Sequence, residues 1–122
     1  SWSPDGTKIA FESDRSLSKD IWIMNADGGN PVNFTKLAKN YRFPSWSPDG
    51  SKIAFSSDFD GKWKLYWSPS VFAQIAMGTG PPLNPLLDGN QPSWSPDGTK
   101  MAFVTGGLSE GLQIITIEVD TN

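Results

Sequence analysis

Residues 1–11 read SWSPDGTKIAF, residues 45–55 read SWSPDGSKIAF and residues 93–103 read SWSPDGTKMAF. Nine of the eleven positions are identical in all three copies, and the other two exchange only Thr for Ser and Ile for Met. The tryptophans of successive copies, Trp2, Trp46 and Trp94, stand 44 and 48 residues apart. A period of about 40–45 residues is typical of stacked supersecondary units, so this repeat decides the fold.

Each eleven-residue cassette predicts two short β-strands joined by a tight turn. Pro fixes φ at the first central position of the turn, Asp suits the second, and Gly accepts the positive φ that follows. In the returning strand, Ile9 and Phe11 share one face while Ala10 points to the other. A large residue on one face and a small one on the other lets stacked sheets interdigitate.

The segments between the cassettes complete a four-stranded unit. In the first unit, residues 20–25 (DIWIMN) predict a third strand and residues 31–35 (PVNFT) a fourth. The third strand of the second unit is predicted at residues 63–67, and that of the third unit at residues 113–119. The third unit has no fourth strand. The sequence thus predicts an all-β fold of β-propeller blades: three repeats of four-stranded antiparallel sheets, the last blade incomplete. Residues 1–122 form a single propeller segment, with blades at approximately 1–44, 45–92 and 93–122.

The cassette resembles the Pro-Asp type of propeller repeat, a TolB-like and WD-like family. Similar repeats occur in the propellers of prolyl-oligopeptidase-like peptidases and of the tricorn protease. The resemblance covers nearly the whole chain and implies half of a six-bladed ring. It also implies a module for protein–protein interaction or scaffolding in the periplasm or cell envelope, with no catalysis of its own. The alternative is the accessory propeller of a prolyl-oligopeptidase-like serine peptidase, because function is grafted onto this scaffold.

Composition and charge exclude several classes of function. The net charge is −3 and no run of Lys or Arg stands out, so we expect no nucleic-acid binding. The apolar stretches are too short to span a bilayer. The chain has no Cys and no His, which excludes disulfides, thiolate metal sites and every His-dependent triad within it.

No catalytic, cofactor-binding or metal-binding residue is predicted. Residues 107–111 (GLSEG) and residues 16–19 (SLSK) match the letters of the Gly-x-Ser-x-Gly and Ser-x-x-Lys motifs. The predicted all-β repeat does not supply the helix that follows the Ser of the first motif, and the chain has no His, so neither match is interpreted as catalytic. Residues 58–61 (DFDG) resemble a calcium loop but lack the downstream Glu, and they align with the loop that follows Asp14. We therefore predict a turn there.

The repeated residues are interpreted as scaffold. The tryptophans could form an aromatic ring for a ligand, but packing between blades is the more usual role of a repeated position. The aspartates could line a pore, but their place between Pro and Gly favours a turn. The structural positions are Trp2, Asp5, Gly6, Phe11, Trp46, Asp49, Gly50, Phe55, Trp94, Asp97, Gly98 and Phe103. Burial is predicted for the three tryptophans and for Ile9, Phe11, Ile53, Phe55, Met101 and Phe103.

One segment breaks the repeat. Residues 68–82 replace the short turn of the first unit, and an irregular insertion in a regular scaffold is where partner recognition often occurs. The candidate partner-binding residues are Val71, Phe72, Ile75 and Met77. The alternative is a locally reordered blade in which these residues pack inward.

The two terminal blades present a problem of burial. A blade is apolar on both faces, so a stack of blades must cover its two ends, where Phe11 and Phe103 would otherwise face water. We therefore expect a homodimer whose two chains close a six-bladed ring, or further blades on a longer chain. The edge at residues 113–119 would stay open or recruit a partner strand.

Overall fold

The computed structural model describes residues 1–36, 39–69, 84–106 and 111–119. Within these ranges the chain consists of β-strands and turns, so the prediction of an all-β fold is confirmed. No helix there has the length and apolar character needed to cross a lipid bilayer. The described residues form ten strands: β1 Lys8–Ser13, β2 Asp20–Asn25, β3 Val32–Asn33, β4 Tyr41–Trp46, β5 Lys52–Ser57, β6 Lys64–Pro69, β7 Asn84–Asp88, β8 Asn90–Trp94, β9 Lys100–Thr105 and β10 Gln113–Glu118.

The strands form three antiparallel sheets that follow one another along the chain. The first has the order β1-β2-β3, the second β4-β5-β6-β7 and the third β8-β9-β10. A single bridge between Trp2 and Ile9 stands where the other two sheets have a full first strand. Each sheet is therefore one blade, built as a meander from its innermost to its outermost strand.

The cassette forms the same hairpin in each blade. Trp2 pairs with Ile9, Trp46 with Ile53 and Trp94 with Met101. In the second blade the turn is closed by the Gly50 amide, which donates to the Ser47 carbonyl at 2.9 Å. Gly50 has a φ of 75°, a conformation that favours glycine. The repeat thus fixes the register between the first two strands of a blade.

In the described part of the chain, one hydrophobic core lies at each of the two junctions between blades. At the first junction, Ile53 and Phe55 of β5 pack with Ala10 of β1 and with Ile21 and Ile23 of β2. At the second, Met101 and Phe103 of β9 pack with Ala54 and Leu65 of the second blade. The face of each blade that carries the large side chains therefore packs against the alanine-bearing face of the blade before it. These are called the large face and the small face below.

The direction of this stacking corrects several predicted burials. Ile53, Phe55, Met101, Phe103 and Trp46 are at most 5% exposed, as predicted. The prediction is wrong for Trp2, which is 59% exposed, and too strong for Ile9, Phe11 and Trp94, which are half-buried. Ile9 and Phe11 lie on the face of the first blade that points away from the second.

The expectation that Phe103 faces water at the end of the stack is also wrong. Phe103 is 3% exposed because the large face of the third blade points back to the second. The face at the other side of this blade carries Ala102, Val104, Ile114 and Thr116 instead, in two paired rows of β9 and β10. The two ends of the stack therefore differ in chemistry: one is aromatic and the other aliphatic.

Candidate functional site

The aspartates of the three turns are held inside closed hydrogen-bond networks. Oδ1 of Asp49 accepts hydrogen bonds from the Ser47 hydroxyl at 2.7 Å, the Ser51 amide at 3.0 Å and the Ser51 hydroxyl at 2.8 Å. The Ser47 oxygen in turn accepts from the Lys52 amide at 2.9 Å. Asp5 and Asp97 repeat this arrangement. The geometry matches the role of a turn residue rather than that of a pore carboxylate.

These donors stabilise the ionised carboxylate. The hydrogen bond from the Ser47 hydroxyl, followed by that from the Ser51 amide, lowers the pKa of Asp49 to about 2. The equivalent Ser and Thr donors lower the pKa of Asp5 and of Asp97 to about 2 as well. A carboxyl group with so low a pKa is a poor general base near neutral pH.

The indoles of the cassette are bonded to backbone carbonyls. Nε1 of Trp46 donates to the Gly50 carbonyl at 3.1 Å within its own hairpin. Nε1 of Trp94 donates to the Ser45 carbonyl at 3.0 Å, which belongs to the preceding blade. Both tryptophans therefore have a clear part in holding hairpins and blades together.

Residues 58–61 form the turn that the sequence indicated. The Gly61 amide donates to the Asp58 carbonyl at 2.9 Å, and Gly61 has a φ of 92°. The Asp58 carboxylate accepts from the amide and the side chain of Asn40, and Asp60 pairs with Lys64. In the part of the chain that the structure describes, no group of three or more acidic side chains is arranged to hold a metal ion.

The first blade contains a buried carboxylate that the sequence did not reveal. Asp20 is 2% exposed and accepts hydrogen bonds from Thr35 at 2.8 Å and from Asn33 at 3.0 Å. The hydroxyls of Ser16 and Ser18 also donate to it. Because the four neutral donors come from the loop before β2 and from residues 33–35, the carboxylate joins β2 to both of these stretches.

The innermost strands of the second and third blades share a bulge. Phe43 and Gln91, each followed by Pro, have positive φ values of 57°, and the strand register shifts beside both. The Phe43 amide donates to Oε1 of Glu12 at 2.8 Å, and the Gln91 amide donates to the Ser56 hydroxyl at 3.2 Å. The acceptor belongs to the preceding blade in both cases, so each bulge links two neighbouring blades.

A charged group accompanies the first of these bulges. Nε of Arg42 lies 3.5 Å from Oε2 of Glu12, and the guanidinium lies 4.8 Å from the centroid of the Phe43 ring. At the second bulge the residue in the place of Arg42 is Asn90. A non-glycine residue in the left-handed region is a strained feature that surrounding structure must stabilise, and such features are frequent at functional sites.

The exposed face of the first blade is apolar and aromatic. Trp2 is 59% exposed, and Ile9, Phe11, Trp22 and Met24 are half-buried. The Arg15 guanidinium lies over two of these rings, 5.5 Å from the centroid of Phe11 and 4.8 Å from that of Trp22. The equivalent residues of the second blade, Ile53 and Phe55, are fully buried by the first blade.

The predicted partner-binding residues Val71, Phe72, Ile75 and Met77 lie outside the described residues. Their role therefore stays a prediction.

Three sheets of the same construction, stacked large face on small face, define consecutive blades of a β-propeller. A family model described as the TolB beta propeller domain, PD40, matches residues 1–122. The chain belongs to this TolB beta-propeller family.

Solved structures give the same fold. TolB from Acinetobacter baumannii is 20% identical and has a TM-score of 0.76 over 98% of this chain and 29% of its own. A protein described as TolB from Agrobacterium tumefaciens is 24% identical, with a TM-score of 0.76 over 96% of this chain and 40% of its own. The chain therefore spans less than half the length of either protein.

A peptidase structure shares the fold more loosely. AtxE2 isopeptidase is 17% identical and has a TM-score of 0.53 over 85% of this chain and 19% of its own. At such identities a structural likeness shows the fold alone, since one scaffold supports many functions.

Proposed function

We propose that this chain is a non-catalytic propeller module for protein–protein interaction or scaffolding, whose end faces are covered by further blades. In the isolated chain, those blades belong to a second copy that closes a six-bladed ring. In a longer polypeptide, they lie on the same chain. Family membership supports a location in the periplasm or cell envelope.

One observation carries the proposal: the same large-residue face is buried in two blades and exposed in one. Ile53 and Phe55 are 0% exposed against the first blade, whereas Ile9 and Phe11 are half-buried and Trp2 is 59% exposed. Full burial of such a side chain contributes about 1.5–3 kcal/mol relative to leaving it in water. A face of this composition favours association with another apolar surface.

The opposite end of the stack has the matching chemistry. Ala102 stands where Ala10 and Ala54 stand in the first and second blades, and both of those are fully buried against the large face of the next blade. Ile114, beside Val104 on the same face of the third blade, is 79% exposed. An aliphatic face of this kind suits the aromatic face of the first blade of another copy.

Light scattering of the chain at micromolar concentration tests the proposal. A monodisperse species with the mass of two chains supports ring closure by two copies. A monodisperse species with the mass of one chain overturns self-association. A heterogeneous aggregate also overturns the closed dimer and favours further blades on the same polypeptide.

The alternative is an accessory propeller of a prolyl-oligopeptidase-like serine peptidase. The loose likeness to AtxE2 isopeptidase agrees with this class of scaffold without selecting it. A hydrolase domain encoded in the same full-length gene would favour this alternative. A specific protein partner recovered by pull-down, with no hydrolase domain in the gene, would favour the interaction module.

A further inference from the structure

Aromatic side chains fill part of the first junction between blades. Phe34, Tyr41 and Tyr66 are at most 3% exposed and surround Phe55. The Tyr41 ring meets Phe55 edge-on at a centroid distance of 5.8 Å, and the Tyr66 ring stacks on it at 6.2 Å. Four rings therefore close this junction.

The second junction has smaller residues at the same three places. Phe103 stands where Phe55 stands, and its strand partner is Ile115, whereas the partner of Phe55 is Tyr66. Gly89 replaces Tyr41. The Gly89 amide donates to the Trp63 carbonyl, and the Tyr41 amide donates to the Lys19 carbonyl. Each acceptor is the residue just before the third strand of the preceding blade. Leu86 replaces Phe34. Phe34 follows the residue that pairs with Trp22, and Leu86 follows the residue that pairs with Tyr66, the equivalent of Trp22 in the second blade. One ring thus stands where the first junction has four.

A groove lies at the second junction, where the aromatic rings of the first junction have no counterpart. An opening of about 510 Å³ is lined by the apolar side chains of Leu86, Leu87, Phe103 and Ile115, with Lys64, Asp88 and Thr105 among its other lining residues. This volume is within the usual range of small-ligand pockets, about 300–1,000 Å³. A Cβ atom at Gly89 would lie 2.6 Å from Cδ2 of Phe103. Residue 89 therefore cannot supply the missing ring without displacing Phe103.

We propose that this groove binds a Tyr or Phe side chain presented by a partner peptide. The inference deepens the proposed interaction role and rests on it, because it names a docking site and the chemistry of the partner. The first junction shows which side chains fit around a phenylalanine at this position of the blade, edge-on or stacked.

The polar residues at the edge of the groove suit a neutral aromatic side chain of a peptide, flanked by the amide groups of that peptide. Lys64 is paired with Asp60 and has Asp88 nearby, so the groove does not offer an isolated charge. The Thr105 hydroxyl donates to the Asp88 carbonyl at 3.0 Å. An apolar wall with a few polar groups at its edge is the usual composition of such a site.

A ligand titration of the 122-residue chain tests the proposal. N-acetyl-tyrosinamide is added, with N-acetyl-alaninamide as the control, and the methyl resonances of Leu86, Leu87 and Ile115 are followed by NMR. We expect saturable shifts with the tyrosine derivative alone. The variant Leu86→Phe restores the ring found at the first junction and is expected to weaken binding by about tenfold or more. Leu17→Phe, the same exchange at a fully exposed loop residue, should bind like the parent.

Three outcomes would overturn the proposal. The first is the absence of saturable shifts in a folded chain, and the second is equal binding by the parent and by Leu86→Phe. If Leu86→Phe does not fold, Ile115→Tyr provides the same test at the strand edge. The third is binding that appears only in Phe72→Ala, which would assign the groove to residues 70–83 of this chain. A chain that self-associates but fails this titration refutes the groove while the interaction role stands.

Discussion

Asp49 illustrates how single residues of the cassette hold a blade together. Its Oδ1 receives three hydrogen bonds, and the donor Ser47 is itself fixed by the Lys52 amide. Asp, Ser and the small hydroxyl residue after Gly thus form one network that joins the two strands at their turn. Position seven of the cassette is always Thr or Ser because its hydroxyl donates to the aspartate of this network.

The lowered pKa of Asp49 makes this turn sensitive to acid. With a folded pKa of about 2 against 3.8 for a free side chain, the contribution to stability is full above the unfolded pKa and is lost as pH falls through the folded one. We expect Asp49→Ala to lower the midpoint of thermal unfolding at pH 7 and to lose most of that difference near pH 2. Circular dichroism melts across this range measure both. A difference between Asp49→Ala and the parent that is constant with pH would contradict the argument.

Trp46 and Trp2 occupy the same repeat position in different surroundings. Trp46 is 5% exposed and Trp2 is 59% exposed. Trp46→Ala is therefore expected to cost about 3–5 kcal/mol of unfolding free energy, as for other buried aromatic side chains. Trp2→Ala should cost clearly less, and denaturant titrations of both variants measure the difference. The packing assignment fails if Trp46→Ala is as stable as the parent.

At the scale of elements, the bulged innermost strands add hydrogen bonds that link neighbouring blades. Glu12 accepts the Phe43 amide and pairs with Arg42, so Glu12→Ala removes both contacts. We expect this variant to lose about 1–3 kcal/mol, the cost of a backbone donor left without a partner. Glu12→Gln keeps an acceptor oxygen and loses only the partly exposed ion pair, so it should lose about 1 kcal/mol or less. Equilibrium unfolding of the two variants separates these contributions, and equal losses would show that the ion pair dominates.

The elements also show what the sequence could and could not indicate. Alternation in the returning strands predicted β1, β5 and β9, and the burial of Ile53 and Phe55, because both faces of a middle blade are covered. Alternation distinguishes the two faces of a blade but does not say which of them meets the next blade. This is why Trp2 was expected to be buried and why Phe103 was expected to lie at an uncovered end of the stack. The bulges were missed for another reason. Phe43 and Gln91 differ, and so do their acceptors Glu12 and Ser56, so the Pro that follows each bulged residue was not enough to indicate a bulge.

For the chain as a whole, we expect no hydrolysis of peptide or ester substrates above background. There is no His or Cys in the sequence, and the cassette aspartates have pKa values near 2 and full sets of donors. A nucleophile needs a nearby base that is deprotonated and free to accept its proton. Activity assays on repurified protein test this. Turnover that survives repurification and disappears on one substitution in this chain would refute it.

Closure of a ring by two copies requires two interfaces, and in each of them the aromatic end face of one copy packs against the aliphatic end face of the other. In a head-to-tail pair, the aromatic face of each copy covers the aliphatic face of the other, so both interfaces are identical. Phe11→Glu alters the first face and Ile114→Glu the second, at residues that are half-buried and 79% exposed in the single chain.

Each variant alone should therefore be monomeric, since either change damages both interfaces of its own dimer. A mixture of the two is different: one interface collects both new carboxylates, and the other joins two unaltered faces. We expect the mixture to recover a species with the mass of two chains, measured by light scattering at equal concentrations. Phe11→Glu mixed with Trp22→Glu is the control, because both changes fall on the same face and no intact interface can form. Recovery in that control, or none in the first mixture, would show that the copies do not pair head to tail.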